Sequence, residues 1–140
     1  MVSVRKTDFF NEVIKELNYP FGNVYIFEKF VVSELNQGET IGWEQTKLIV
    51  DDVTTFFNSN GENVVYIANR INSYSVIATD WLKFFKQRYA LKAYYIVSGN
   101  NVGTINSAIE KLFFKKKIKH FKSLDDAVKA VKSELIKITY

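Results

Sequence analysis

The sequence predicts an α/β fold, one domain built on a mixed, mostly parallel sheet, and three observations predict it. Short apolar runs, VVYIA, LKAYYIVS and KIKHF, recur along the chain, each followed by a segment with helical spacing of its large side chains. Such alternation argues for parallel neighbours, because a parallel pair needs a crossover connection that is usually a helix. An early stretch from Asn23, NVYIFEKFVVSEL, carries Val24, Ile26, Phe30, Val32 and Leu35 among aromatics and reads as two short strands or one bent strand pair. Finally, 140 residues with 47% apolar side chains cover one substantial core, and neither a repeat nor a Pro-rich or Ser/Gly-rich linker divides them. Residues 1–140 are therefore read as a single domain.

Element by element, the least determined part is residues 1–20. Phe9, Phe10, Val13, Ile14 and Leu17 fit helical spacing, yet the segment is short and Pro20 follows closely, so helix and strand both stay open. After NQGETIG the period changes: Trp43, Thr46, Val50, Val53 and Phe57 fall on one side of a helix beginning near Trp43. Gly61 in NSNGEN supplies a turn before VVYIA, whose unbroken apolar character marks a buried strand. Trp81, Phe84, Phe85 and Tyr89 follow in a helical segment and are read as core and interface packing. LKAYYIVS is the next strand, and INSAIEKLFF places Ile105, Ile109, Leu112 and Phe113 on one helical face. KIKHF is the last strand, and the Ser123 hydroxyl is placed to cap a helix carrying Leu124, Ala127, Val128, Val131 and Leu135.

Composition narrows the function classes. The chain has no Cys, which excludes disulfides, thiol catalysis and cysteine-ligated metals. No stretch approaches the roughly 18 uninterrupted apolar residues of a spanning helix, and MVSVRKTDFFNEV lacks a signal core, so a soluble, cytoplasmic protein is expected. The net charge of +4 is uneven: Lys111, Lys115, Lys116, Lys117, Lys119 and Lys122 crowd a segment without an acid. The simplest reading is a solvated face, and the alternative is a patch for an acidic partner or anionic lipid headgroups. Nucleic acid is a weaker match, since one basic segment comes without a recognised binding module.

Catalytic signals are poor. His120 is the only His, so a Ser-His-Asp triad would have to use it, and no Ser sits in a nucleophile-elbow context. Asp51-Asp52 and Asp125-Asp126 are adjacent acids on predicted helices; their side chains point about 100 degrees apart, which makes neither pair a metal clamp or a glycosidase dyad. No catalytic residue, metal site or cofactor is expected. Binding is the better prospect. The polar stretch NRINSYSVIATDW, residues 69–81, connects a predicted strand to a predicted helix, and SGNNVGT, residues 98–104, does the same one unit later. The second loop fails the Walker spacing and reads as an ordinary turn. Ligand crevices of open parallel sheets lie beyond the carboxyl ends of the strands, where both loops belong. Arg70, Asn72, Ser73, Tyr74, Ser75, Thr79, Asn100 and Asn101 form the expected rim for a ligand or partner, and Lys115, Lys116, Lys117 and Lys119 the expected basic patch.

The early strand pair, the strand VVYIA with its hydroxyl-bearing loop before a helix, and the final unit KIKHFKSLDDAVKAVKSEL together resemble the STAS family, the anti-sigma-factor-antagonist fold. Runs such as FGNVYIFEKFVVSELNQG and NRINSYSV are similar to an uncharacterised bacterial group of that class, and the likeness extends from about Phe21 onward. It implies a single STAS-like domain with an N-terminal strand pair and about four flanking helices. By the same resemblance the chain is a non-enzymatic regulatory or protein-interaction domain, with a small-ligand or anionic-lipid-binding module as the alternative, since the fold is often compared with the lipid-transfer CRAL-TRIO fold. A protein partner is the implied associate; a second copy of the chain is a separate expectation that the resemblance does not supply. The family's switch is a phosphorylatable Ser in an Asp-Ser-Ser-Gly run at the helix start; ATDW, residues 78–81, stands there instead. Thr79 is the remaining hydroxyl at that place, and its plainest role is to cap the helix.

Overall fold

The computed structural model describes residues 1–99 and 118–139. Two 3-10 turns, Val4–Lys6 and Asp8–Glu12, precede strands β1 (Lys15–Tyr19), β2 (Gly22–Ile26), β3 (Phe30–Leu35) and the short β4 (Thr40–Ile41). Helix α1 (Trp43–Phe57) leads to β5 (Val65–Asn69), the short β6 (Ser75–Val76), a 3-10 turn (Ala78–Asp80) and helix α2 (Trp81–Lys86). Strands β7 (Ala93–Val97) and β8 (Ile118–Phe121) and helix α3 (Leu124–Thr139) complete the described elements. The main sheet has six strands in the order β1-β2-β3-β5-β7-β8. Pairing is antiparallel from β1 to β3 and parallel from β3 to β8, a mixed and mostly parallel sheet. Apart from it, β4 and β6 form a two-stranded parallel ribbon.

Residues 1–20 resolve into turn and strand. Phe9 and Phe10 lie in the second 3-10 turn, while Leu17 lies in β1, opposite Val24. The helical spacing of this segment fails because Pro20 and Gly22 build a tight β1–β2 connection, with Tyr19 paired to Gly22, and the hairpin recruits the preceding residues as a strand. Gly22 has φ +148 and a Cβ there would stand 2.6 Å from the Leu35 Cα, so β2 and β3 approach at that point only because no side chain intervenes.

The central strands are apolar on both faces because both are covered. Tyr25, Phe30, Val32, Val65, Ile67, Tyr95 and Val97 face α3, which contributes Leu124, Ala127, Val128 and Val131, together with Val4 and Phe9. Val24, Ile26, Val31 and Leu35 face Ile49 and Val53 of α1, and Ala68, Tyr94 and Ile96 meet Phe84 of α2. The α1 contact is thus made by Ile49 and Val53, with Trp43, Val50 and Phe57 partly buried around them. Ser123 caps α3 as its position predicts, its hydroxyl accepting the Asp126 N–H at 3.1 Å. Three α-helices occur among the described residues, fewer than the four expected; the segment INSAIEKLFF lies outside them. No helix among the described residues is long and apolar enough to cross a membrane.

Candidate functional site

Residues 69–81 do not form a free polar loop. Asn69 ends β5 as a buried side chain whose amide donates to Glu34 at 2.9 Å and to the Val2 carbonyl at 3.0 Å. The Arg70 N–H donates to the Val97 carbonyl, while its guanidinium folds back, donating to the Tyr74 carbonyl at 2.6 Å and lying 4.2 Å from the Tyr74 ring centroid. That geometry combines a charge-assisted hydrogen bond with a cation–π contact.

The next residues are fastened to the connection between β3 and β4. Asn72 donates to the Leu35 carbonyl at 3.0 Å, the Ser73 N–H to the Gln37 side chain at 2.7 Å, and the Gly38 N–H to the Ser73 carbonyl at 2.8 Å. Ser75 and Ile77 continue the zipper with backbone bonds to Glu39 and Ile41. Because parallel pairing of β4 with β6 satisfies the backbone on that side, the alternating hydroxyls are left outward: Ser73, Ser75 and Thr79 are exposed, and so is Ile77 at 43%.

Thr79 lies inside the 3-10 turn rather than at its head, which corrects its expected role as helix N-cap. The capping residue in this stretch is its neighbour, and it serves a different helix. Asp80 accepts the Trp43 N–H at 2.6 Å at the start of α1, where the N-cap residue Gly42 has no side chain to offer. Gln45 takes the Gly42 N–H at 2.9 Å, so two of the helix's orphan donors are satisfied by side chains.

Tyr74 turns inward and is buried. With Tyr66 of β5 and Tyr94 of β7 it lines a cavity of about 50 Å³ between the sheet and α1. The Tyr66 and Tyr94 rings are stacked, their centroids 5.3 Å apart and their planes 3° from parallel. Burial raises the pKa of all three phenols above the ordinary value, with the Arg70 guanidinium opposing the rise in each, so at neutral pH they present O–H donors.

Of the other expected rim and patch residues, Asn100, Asn101, Lys115, Lys116 and Lys117 lie outside the described residues. Lys119 of β8 is paired with Glu134 of α3 at 3.1 Å. The adjacent acids divide between separate partners: Asp51 takes Lys47 at 2.7 Å and the Tyr89 hydroxyl at 3.1 Å, whereas Asp52 accepts the Tyr19 hydroxyl at 2.6 Å. Asp125 pairs with Lys129 at 2.9 Å. Among the described residues no group of three or more His, Asp or Glu is placed to hold a metal ion.

Sequence reasoning missed two carboxylates that organise this end of the molecule. One is Asp80; the other is Glu34, buried at 6% exposure, which accepts the Ser3 hydroxyl at 2.6 Å, the Val4 N–H at 2.7 Å and the Asn69 amide. The available signal for Glu34 was an acid inside the run FVVSEL, all six residues of which are buried.

No family model, curated protein or solved structure matches this chain.

Proposed function

We propose that the chain is a non-enzymatic, STAS-like regulatory module that binds a protein partner through the outward side of residues 69–81. The observation that carries this reading is the bracing of that stretch. The Asn69 amide N–H, the Arg70 guanidinium and the Asn72 amide donate to the protein's own backbone and side chains and the Asp80 carboxylate accepts from the Trp43 N–H, while Ser73, Ser75, Ile77 and Thr79 stand exposed on the support. A surface held in place before docking loses little conformational entropy on association. The exposed Ile77 flanked by hydroxyls supplies an apolar contact within a polar border, the arrangement of a small interface centre. Against catalysis stands the distribution of acids, since Asp51 and Asp52 serve different neighbours and no acid–base pair is assembled there.

The test is a crosslinked pull-down from the native cell with the wild type and with Ile77→Asp/Thr79→Arg. Both positions are exposed, so the variant keeps its melting temperature. A stoichiometric partner recovered by the wild type and lost by the variant supports the reading. Equal recovery by both moves the interface elsewhere.

The tyrosine-lined cavity favours a second reading, a module for a small ligand. Its anionic-lipid form draws on the basic segment, of which Lys119 is engaged with Glu134. Flotation on acidic and neutral vesicles separates the two forms: a surface electrostatic contact requires the acidic lipid and weakens with salt.

A further inference from the structure

Strand β1 closes one side of the six-stranded sheet, and no strand pairs with its outer side among the described residues. Its register fixes which backbone groups that edge shows. Tyr19 and Gly22 oppose each other across the turn of Pro20 and Phe21, so they form a hydrogen-bonded pair, and by alternation Leu17 and Lys15 also turn their N–H and C=O groups toward β2. Glu16 and Asn18 therefore present theirs to the outside. Edges that stay single are guarded by a Pro, a bulge or an unmatched charge. Between Lys15 and Tyr19 there is neither Pro nor bulge, and Leu17 stands at the centre of the strand. Apolar side chains flank the edge. Ile14, more than half exposed, immediately precedes β1. On the α1 side the Tyr19 hydroxyl reaches Asp52, and Leu48 and Phe56, one helical turn to either side of Asp52, are exposed.

We propose that two copies of the chain associate at this edge, β1 pairing antiparallel with β1 of the second copy so that one sheet runs through both. A two-fold axis normal to the sheet keeps each face on its own side, so odd residues oppose only odd residues and even only even. The outward groups of Glu16 and Asn18 must also meet one another. One register meets both conditions: Leu17 opposite Leu17, with Glu16 opposite Asn18 and Lys15 opposite Tyr19 of the second copy. A shift of two residues one way sets Glu16 against Glu16, and the other way sets it against Pro20, which has no N–H to give. In the favoured register the charges are matched. The Asn18 amide lies beside the Glu16 carboxylate of the second copy, itself ion-paired with Arg5. Lys15 has no ion pair among the described residues; it runs along Tyr19 of the second copy toward the Asp52 carboxylate that holds that hydroxyl. Leu17 meets its own image on the α1 face, bordered by Leu48 and Phe56 of both helices. This self-complementarity points to a second copy rather than to an arbitrary strand. The edge is separate from residues 69–81, and the pairing does not depend on the reading of that surface.

Sedimentation equilibrium of the full chain over a range of concentrations is expected to show a monomer–dimer equilibrium. The amides of Glu16 and Asn18 gain protection from hydrogen exchange as the dimer fills, while those of Leu17 and Tyr19 are protected throughout. Asn18→Pro replaces an outward N–H at an exposed position of an edge strand, where Pro is tolerated; it is expected to keep its melting temperature and to sediment as a monomer. Lys15→Glu sets two acids together and should weaken the dimer about tenfold, and Lys15→Glu/Asp52→Lys should recover the loss. Register is read by crosslinking, since the chain has no Cys of its own. Leu17→Cys places two thiols on a pair whose Cα atoms stand about 4.5 Å apart and should oxidise to a covalent dimer. Asn18→Cys leaves its two Cα atoms about 8 Å apart, beyond disulfide reach, and should not. A wild-type chain that sediments as a monomer at every concentration, with the Glu16 and Asn18 amides exchanging freely, overturns the proposal and leaves the edge to a strand of another protein. A dimer that survives Asn18→Pro, ignores Lys15→Glu, or crosslinks through Asn18→Cys and not Leu17→Cys overturns it too, by placing the contact elsewhere.

Discussion

The Asp80 carboxylate accepts the backbone N–H of Trp43 at 2.6 Å, across 37 positions of sequence. The first turn of α1 is therefore closed by a residue from the connection after β6, and the start of the helix and the candidate surface are one mechanical unit. Asp80→Ala is expected to destabilise the protein by about 1 kcal/mol, the typical worth of an N-cap, and Asp80→Asn by less, since an amide oxygen still accepts. Urea unfolding measures it. A loss of stability equal in the two variants would mean that charge rather than the hydrogen bond matters there.

Glu34 binds the chain near Met1 to the carboxyl ends of β3 and β5. Both its oxygens are used, one by the Ser3 hydroxyl and the other by the Val4 N–H and the Asn69 amide. Glu34→Ala leaves those buried donors without their acceptor, and the expected cost is about 3 kcal/mol. Hydrogen exchange gives the specific readout: the Val4 amide is protected in the wild type and exchanges rapidly in the variant, while amides of β7 remain slow. Retained protection at Val4 would show that the segment is held by the packing of Val4 alone.

These two carboxylates mark where the sequence stopped being legible. The strand and helix alternation could be read because each central strand is apolar on both faces and each helix carries its apolar stripe at its own period, both local properties. The polar stretch at 69–81 could be placed for the same reason, as the connection leaving β5. What could not be read was the destination of its polar atoms. Asn72 reaches Leu35, Ser73 reaches Gln37, and Asp80 reaches Trp43, all contacts between segments distant in sequence that no local period encodes. Tyr74 shows the cost of that blindness: among Asn, Ser and Arg it reads as a rim residue, yet alternation along the β4–β6 ribbon turns it into the core. At residues 1–20 the difficulty was different. The helical spacing of Phe9 to Leu17 was real but overridden by the Pro20 hairpin.

Gly61 stands where the turn after α1 meets the segment before β7. Its φ is +101, and a Cβ on it would lie 2.2 Å from the Ala90 carbonyl oxygen, so backbone strain and a backbone clash coincide. The turn is also internally fixed, with Ala90 N–H donating to the Asn60 carbonyl at 3.0 Å. Gly61→Ala is expected to cost on the order of 3 kcal/mol. Gly38 has φ +82 but open space around it, and serves as the control. Gly38→Ala carries the backbone strain without the clash, so it should cost about 1 kcal/mol. Similar midpoints for the two variants in denaturant would show that the contact with Ala90 yields freely.

Alkaline pH should expose the buried phenols. Burial, and secondarily the Glu134 carboxylate, pushes Tyr95 up to about 12, and burial raises Tyr66 and Tyr94 as well, against an ordinary value of 10.0. A phenol is charged when it has lost its proton, so a raised folded pKa means that the unfolded chain deprotonates first. Below the unfolded value both states hold their protons, and the stabilisation is fully present. As pH rises from about 10 through about 12 the unfolded state releases protons that the folded state keeps, and stability falls across that window. Phenolate absorbance during a pH titration should rise first from the exposed tyrosines, with Tyr66 and Tyr94 ionising only as the protein unfolds. Tyr95→Phe should flatten the decline measured by urea unfolding between those two pH values. A wild-type stability that stays constant through the window would contradict the burial of these hydroxyls.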